Sequence, residues 1–218
     1  MYKNVKRKIE RGVAFPTCVS VNNTVGHFSP LASDESVLRH ADMVKIDVGC
    51  HIDGFIAIVA HTHVIQEGPI TGKAADVIAA ANTAPEVALR LLRPGKKNKD
   101  VMEALQKIAA AYDCRLVEGV LSHQLKQFVI DGNKVILNVS NPEVDEVEFE
   151  ENVVEINQKF PIVPFSARAL EEKKARLGLV ECVNHELLQP YPVLHEKPGN
   201  LLIISFQLGL CGGLGRAD

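Results

Sequence analysis

The segment ADMVKIDVGCHIDGFIAIVAHTHVI (Ala41 to Ile65) constrains the fold more than any other part of this chain. Two Val/Ile-rich runs flank a stretch that carries Gly49, Asp53 and Gly54. Short β-branched runs separated by turn residues read as a β-hairpin, here with Gly49 to Gly54 as the turn region. Upstream, VAFPTCVSVNN (Val13 to Asn23) reads as a further strand.

Downstream the period changes. KAADVIAAANTAPEVALRLL (Lys73 to Leu92) is Ala-rich with apolar residues at helical spacing, and Pro94-Gly95 ends it. Asp100 is placed to cap a second helix with the apolar face Val101, Ala104, Leu105, Ile108 and Ala109. VEGVLSHQL and KVILNVS are strand candidates, and an acidic run, EVDEVEFEE, follows. From Phe165 onward, SARALEEKKARLGLVECVNHELL reads as two helices broken near Gly178, QPYPVLHEKPG as a Pro-rich connector, and IISFQLGLCGGLGRAD as a Gly-rich end without a clear period. Strands alternating with helices argue for an α/β or α+β class.

Composition narrows the function classes. With 218 residues, 46% hydrophobic, the chain is long enough for one moderate domain with a true core, or two small ones. A formal charge of −3 does not suggest wholesale nucleic-acid binding, and any such activity needs a local basic patch. No apolar run reaches membrane-spanning length, and the basic start MYKNVKRKIERG has no apolar stretch behind it, so it does not read as a secretory signal. The five cysteines, Cys18, Cys50, Cys114, Cys182 and Cys211, are odd in number and scattered, which reads as reduced thiols.

Four blocks, FPTCVSVNNTVGHFSP, KIDVGCHIDGFIAIVAHT, VEGVLSHQLKQFVIDGNK and ECVNHELLQPYPVLHEKPG, stand in an order that resembles the proliferation-associated, ErbB-3-binding proteins. These are the non-peptidase branch of the type 2 methionine aminopeptidase group, so the resemblance, over roughly Gly12 to Leu201, implies the pita-bread (creatinase/aminopeptidase-like) fold. It also implies a protein of nucleus, nucleolus and cytoplasm that binds structured RNA, ribosomes and regulatory proteins in growth regulation, ribosome biogenesis and translational control, with no membrane association.

Active members of the group hold two metal ions with two Asp, one His and two Glu. By the resemblance the first Asp falls on Asp47, the second on Ile58 and the metal His on Val120, with His123 displaced by three residues; His27 matches a substrate-contacting His. The strand for the first Glu is missing after the acidic run, at about Val153 to Gln158, and the last Glu belongs beyond Gly199, where the likeness ends. A carboxylate is a hard donor for a divalent metal and an isoleucine donates nothing. The expectation is therefore no cofactor, no catalytic residue, and a residual pocket at His27 and Asp47. The alternatives are a metal-dependent methionine aminopeptidase, which would need the divalent metal, and a non-functional truncated product. The expected organisation is a basic arm (1–11), an incomplete pita-bread core (12–155), a helical segment with its connector in the same domain (156–200) and a divergent tail (201–218). A core without its central strands would leave an unpaired sheet edge and exposed apolar surface.

Asp47 then reads as a hydrogen-bonding group within the hairpin, since a buried, unpartnered Asp is unfavourable. His61 and His63 share one strand face, at most a weak chelate. Ser122 and His123 are adjacent on a strand and point to opposite faces, a poor catalytic pair. GLCGGLG has no following helix and is not a phosphate loop. Three basic clusters are the RNA-binding candidates: Lys3, Lys6, Arg7, Lys8 and Arg11; Lys96, Lys97 and Lys99; and Lys173, Lys174 and Arg176. Lys and Arg that neutralise phosphates supply salt-dependent affinity.

Overall fold

The computed structural model describes residues 10–139, 141 and 145–149, together with short segments at 163–165, 180–181, 184, 188–190, 194–195, 203–204 and 209–211. In chain order the elements are β1 (Arg11–Val21), β2 (Thr24–Gly26), β3 (Met43–Ile52), β4 (Phe55–Val64), α1 (Gly72–Leu91), α2 (Asn98–Ala111), β5 (Arg115–Leu116), β6 (Leu121–Leu125), β7 (Val135–Leu137), β8 (Val163–Phe165), β9 (Leu188–Pro190), β10 (Leu194–His195), β11 (Ile203–Ile204) and β12 (Gly209–Cys211).

Strand β3 lies between β1 and β4 and is antiparallel to both. The β3–β4 ladder runs without a break from Met43 opposite Val64 to Ile52 opposite Phe55. Only Asp53 and Gly54 form the turn, with φ of 52° and 76°. Two left-handed residues make the mirror-image turn whose twist matches that of paired strands, and Asp-Gly favours it. The turn is thus tighter than the Gly49–Gly54 region expected from sequence. Gly49 stays inside β3 because the Phe15 ring lies against it: a Cβ there would sit 2.3 Å from Phe15 Cε1. That glycine serves a close approach, not a bend.

The β1 ladder shifts register between Val13 and Phe15 and again between Phe15 and Cys18. Pro16 falls inside this interval, on an outer strand of the three, where a residue without an N–H is tolerated. Arg11 pairs with Ile52, so β1 takes in the last residue of the expected arm. Asn22 (φ 50°) closes the far end: its Nδ2 donates to Asp42 Oδ1 at 2.8 Å and its Oδ1 accepts from the Met43 N–H at 2.9 Å.

The helices make the principal core. Val77, Ala80, Ala84 and Ala88 form a stripe of small buried side chains on α1, which lets Val101, Met102, Leu105 and Ala109 of α2 approach closely. Ile136 of β7 and Cys114 complete the cluster. Of the expected α2 face, Val101, Leu105 and Ala109 are buried and Ile108 packs against them, Met102 joins them, and Ala104 is half-buried outside the cluster. The N-cap of α2 is Lys97 rather than Asp100; Asp100 sits one turn in and its Oδ2 accepts the Lys97 N–H at 3.1 Å. Asn98, 1% exposed, spends its carboxamide on four partners: Nδ2 donates to the carbonyls of Val135 and Asp145, and Oδ1 accepts from the N–H of Lys99 and Val147. This saturated buried amide fixes the start of α2 against β7 and the acidic segment.

The later residues add strands in places read as helical, connecting or aperiodic. β9 pairs in parallel with β8, β11 with β5 and β12 with β6, whereas β10 pairs antiparallel with β2. Val180, Glu181 and Asn184 are helical, within the expected helical stretch. The expected gap at about Val153 to Gln158 lies outside the described residues. Truncating the buried Leu105 to Ala is expected to cost about 2–5 kcal/mol, read as a lower urea midpoint at unchanged slope.

Candidate functional site

The hairpin register decides which side chains share a face. Lys45, Asp47, Gly49 and His51 stand opposite Thr62, Ala60, Ile58 and Ile56. Asp47 and Ile58 are therefore diagonal neighbours on one face of the sheet, as two cooperating carboxylates would need to be. Here the second position carries a hydrocarbon. Ile58 and Ile56 pack against a cluster of Ala14, Phe15, Cys18, Leu125 and Ile130.

A second loop holds that cluster in place. Lys126 and Val129 exchange backbone bonds across a tight turn in which Phe128 has φ 61°. The Phe128 N–H donates to the Gly54 carbonyl at 2.9 Å, and Gln127 Nε2 donates to the Asp53 carbonyl at 2.8 Å. The hairpin tip is so docked beside the end of β6, which brings Leu125 and Ile130 to β1.

Asp47 is half-buried between Cys18 of β1 and Ala60 of β4. Burial holds its carboxyl above the usual carboxylate range, and Lys45, two residues back on the same face, opposes that rise in part. No described residue hydrogen-bonds this carboxylate, which corrects the expectation of a hydrogen bond within the hairpin. The physical reason is that its cross-strand neighbours Ala60 and Ile58 offer no donor, while the Lys45 ammonium donates to the Asn22 carbonyl at 2.7 Å.

The other sequence candidates fall on or beside several elements. His27 sits at a left-handed bend (φ 62°) after β2; the next residue, Phe28, bonds Ser20 Oγ through its N–H and the Val19 N–H through its carbonyl. Val120 is buried just before β6, its carbonyl accepting the Asn138 N–H at 2.9 Å. Ser122 and His123 are both buried on β6, opposite Ile136 and Val135. His61 and His63 are exposed on the other face of β4. Among the described residues no three His, Cys, Asp or Glu side chains converge as a metal site, and Cys18, Cys50 and Cys114 are free thiols.

The basic loop between the helices is partly compensated, a feature that reading the sequence missed. The acidic segment 145–149 runs along it: Phe149 N–H donates to the Lys96 carbonyl, Gly95 N–H to the Phe149 carbonyl, and Asn98 N–H to the Val147 carbonyl. Lys97 Nζ donates to Glu146 Oε1, and Lys99 Nζ lies 3.5 Å from Glu146 Oε2. Hydrogen bonding to Lys97 holds the Glu146 carboxyl below its ordinary range, and the same bond holds the Lys97 ammonium above its own. Lys3, Lys6, Arg7, Lys8, Lys173, Lys174 and Arg176 lie outside the described residues.

Comparison with known proteins matches residues 1–160 to metallopeptidase family M24. The chain is 66% identical to an ErbB-3 binding protein 1 of Solanum tuberosum, over 93% of this chain and 64% of that protein. It is 40% identical to proliferation-associated protein A of Dictyostelium discoideum, over 89% of this chain and 63% of that one. The chain spans less than two thirds of the length of these relatives. The first match extends over 249 positions, more than the 218 residues of this chain, so the potato protein carries residues with no counterpart here. Among solved structures, a thermophilic Arx1 superposes with a TM-score of 0.65 at 24% identity, covering 82% of this chain and 68% of that one, a likeness of fold.

Replacing Asp47 by Asn is expected to raise the melting temperature at pH 7 by a few degrees. An acid whose pKa is raised in the folded state binds more protons folded than unfolded, so it weakens the fold once pH exceeds the unfolded value. The gain should vanish below about pH 4, where both states are protonated; thermal melts of both proteins across pH 3–8 check this.

Proposed function

The chain belongs to metallopeptidase family M24 and has its pita-bread fold, and on that premise we propose that it is a non-catalytic member that binds structured RNA and ribosomes together with regulatory proteins. The observation that carries this reading is Ile58. Two-metal hydrolysis needs paired anionic donors to hold both ions and activate the attacking water. At the position diagonal to Asp47 this chain places an isoleucine engaged with Phe15, Leu125 and Ile130. A divalent cation brought there would meet one carboxylate and an apolar wall. Reduced metal affinity follows from the chemistry of that donor set.

The names of the similar relatives, an ErbB-3 binding protein and a proliferation-associated protein, support a binding role. Growth regulation, ribosome biogenesis and translational control, in nucleus, nucleolus and cytoplasm, are the setting proposed for it. No helix among the described residues is long and apolar enough to cross a membrane.

RNA binding is assigned to the Lys96–Lys99 loop, with Glu146 as its internal competitor. Phosphate can displace a carboxylate from Lys97 and Lys99 because both are exposed, where an ion pair is worth little. Fluorescence anisotropy with a labelled RNA hairpin tests this across a salt series. Affinity should fall with salt, and Lys96→Ala with Lys99→Ala should flatten the slope by roughly one unit for each phosphate that is no longer neutralised. Glu146→Gln should tighten binding several-fold. A cooperatively folded chain without salt-dependent RNA binding would sink the proposal. Calorimetric uptake of two Mn²⁺ ions at micromolar affinity would instead favour a methionine aminopeptidase.

A further inference from the structure

Strand β4 carries two histidines, His61 and His63, with one residue between them. Its ladder with β3 runs from Phe55 to Val64 without a bulge, so the alternation of faces is unbroken at both positions. Side chains at i and i+2 of such a strand leave the same face, from Cα atoms about 6.5–7 Å apart. Thr62, between them, belongs to the opposite face, the one that carries Asp47 across the ladder.

Both histidines are exposed, and among the described residues neither ring has a hydrogen bond or an ion pair. Their cross-strand partners are hydrocarbons: His61 stands opposite Ile46 and His63 opposite Val44. Lys45, the one cation of β3, belongs to the Asp47 face. No ammonium of the paired strand therefore opposes a second positive charge beside the two rings.

This spacing is that of a chelate. An imidazole nitrogen binds a divalent transition ion at about 2.0–2.1 Å, so two donors that meet at one ion at about 90–110° lie roughly 3 Å apart. Exposed rings reach that separation by leaning toward each other through ordinary rotamer changes. The backbone needs no movement, because the ladder already holds both Cα atoms. Only side-chain freedom is lost on binding.

The donor set selects the ion. Imidazoles without a carboxylate suit Ni²⁺, Cu²⁺ and Zn²⁺, whereas Mg²⁺, Ca²⁺ and Mn²⁺ favour oxygen donors. Two protein ligands leave further coordination positions open to water or to an incoming donor.

We propose that His61 and His63 form a two-histidine chelate for a divalent transition ion of the nickel, copper and zinc class. It stands on the face of the hairpin opposite Asp47, and its preference is the reverse of that of a carboxylate site.

Calorimetric titration of the full chain with Ni²⁺ tests this. One ion should bind per chain with a micromolar dissociation constant, and Mn²⁺ in hundredfold excess should not displace it. His61→Gln and His63→Gln should each weaken binding at least tenfold. Both side chains are exposed, so the metal-free melts of these variants should stay cooperative. Thr62→His combined with His63→Thr keeps two histidines but sets them on opposite faces; it should bind no better than His63→Gln. Saturating Ni²⁺ should raise the melting temperature of the parent chain and not that of the single variants, because the ion then binds the folded state alone. A chain that takes up no Ni²⁺ overturns the proposal. So does binding that survives both single substitutions, and so does a rearranged pair that binds as tightly as the parent.

Discussion

The fold and its candidate site both hang on the registration of β3 with its two neighbours. One strand fixes Cys18 and Ala60 on either side of Asp47, and Phe15 and Ile58 on either side of Gly49. A slip of one residue against either neighbour would send every side chain of that strand to the opposite face. Two local devices prevent the slip. The Asp53-Gly54 turn has room for one pairing only, and the Asn22 carboxamide holds the other end of β3 to both Asp42 and the Met43 N–H. The bulges in β1 absorb Pro16 without disturbing the central ladder.

That frame decides which side chains share the face that carries Asp47. The strand geometry is the same whether the position diagonal to Asp47 is acidic or aliphatic. With an aliphatic residue there, Ile58 packs on Phe15, Leu125 and Ile130, and the remaining carboxylate is left in apolar surroundings that raise its proton affinity. A carboxylate in such surroundings favours its neutral form.

The hairpin, both helices and the β6 and β7 strands were legible in the sequence because period and turn chemistry are local signals. The errors have physical causes that are not local. Gly49 reads as a turn residue until the Phe15 ring, far away in sequence, is seen to lie over it. Asp100 reads as an N-cap because Asp commonly is one; its carboxylate instead reaches back from the third helical position. β9 and β10 lie in a Pro-rich stretch and β12 in a Gly-rich one, where composition argues against strands and only partners define them. The pairing of Lys97 with Glu146 spans 49 residues, beyond any window of periodicity. Asp47 and Ile58 follow from family likeness, but the burial that raises the Asp47 carboxyl depends on the pairing of β1, β3 and β4, which no local pattern in the sequence fixes.

The Asp-Gly turn has one more consequence, in the order of events rather than in the finished molecule. A hairpin closed by two residues needs no partner distant in sequence, so its loop-closure entropy is small and it forms on the microsecond scale, about 1–10 µs. Synthesis adds residues far more slowly, at roughly 5–20 per second. The β3–β4 pair is therefore complete before α2 or the 126–129 turn has been made, and for seconds during translation the nascent chain presents its most regular strand to whatever stands nearest on the polysome.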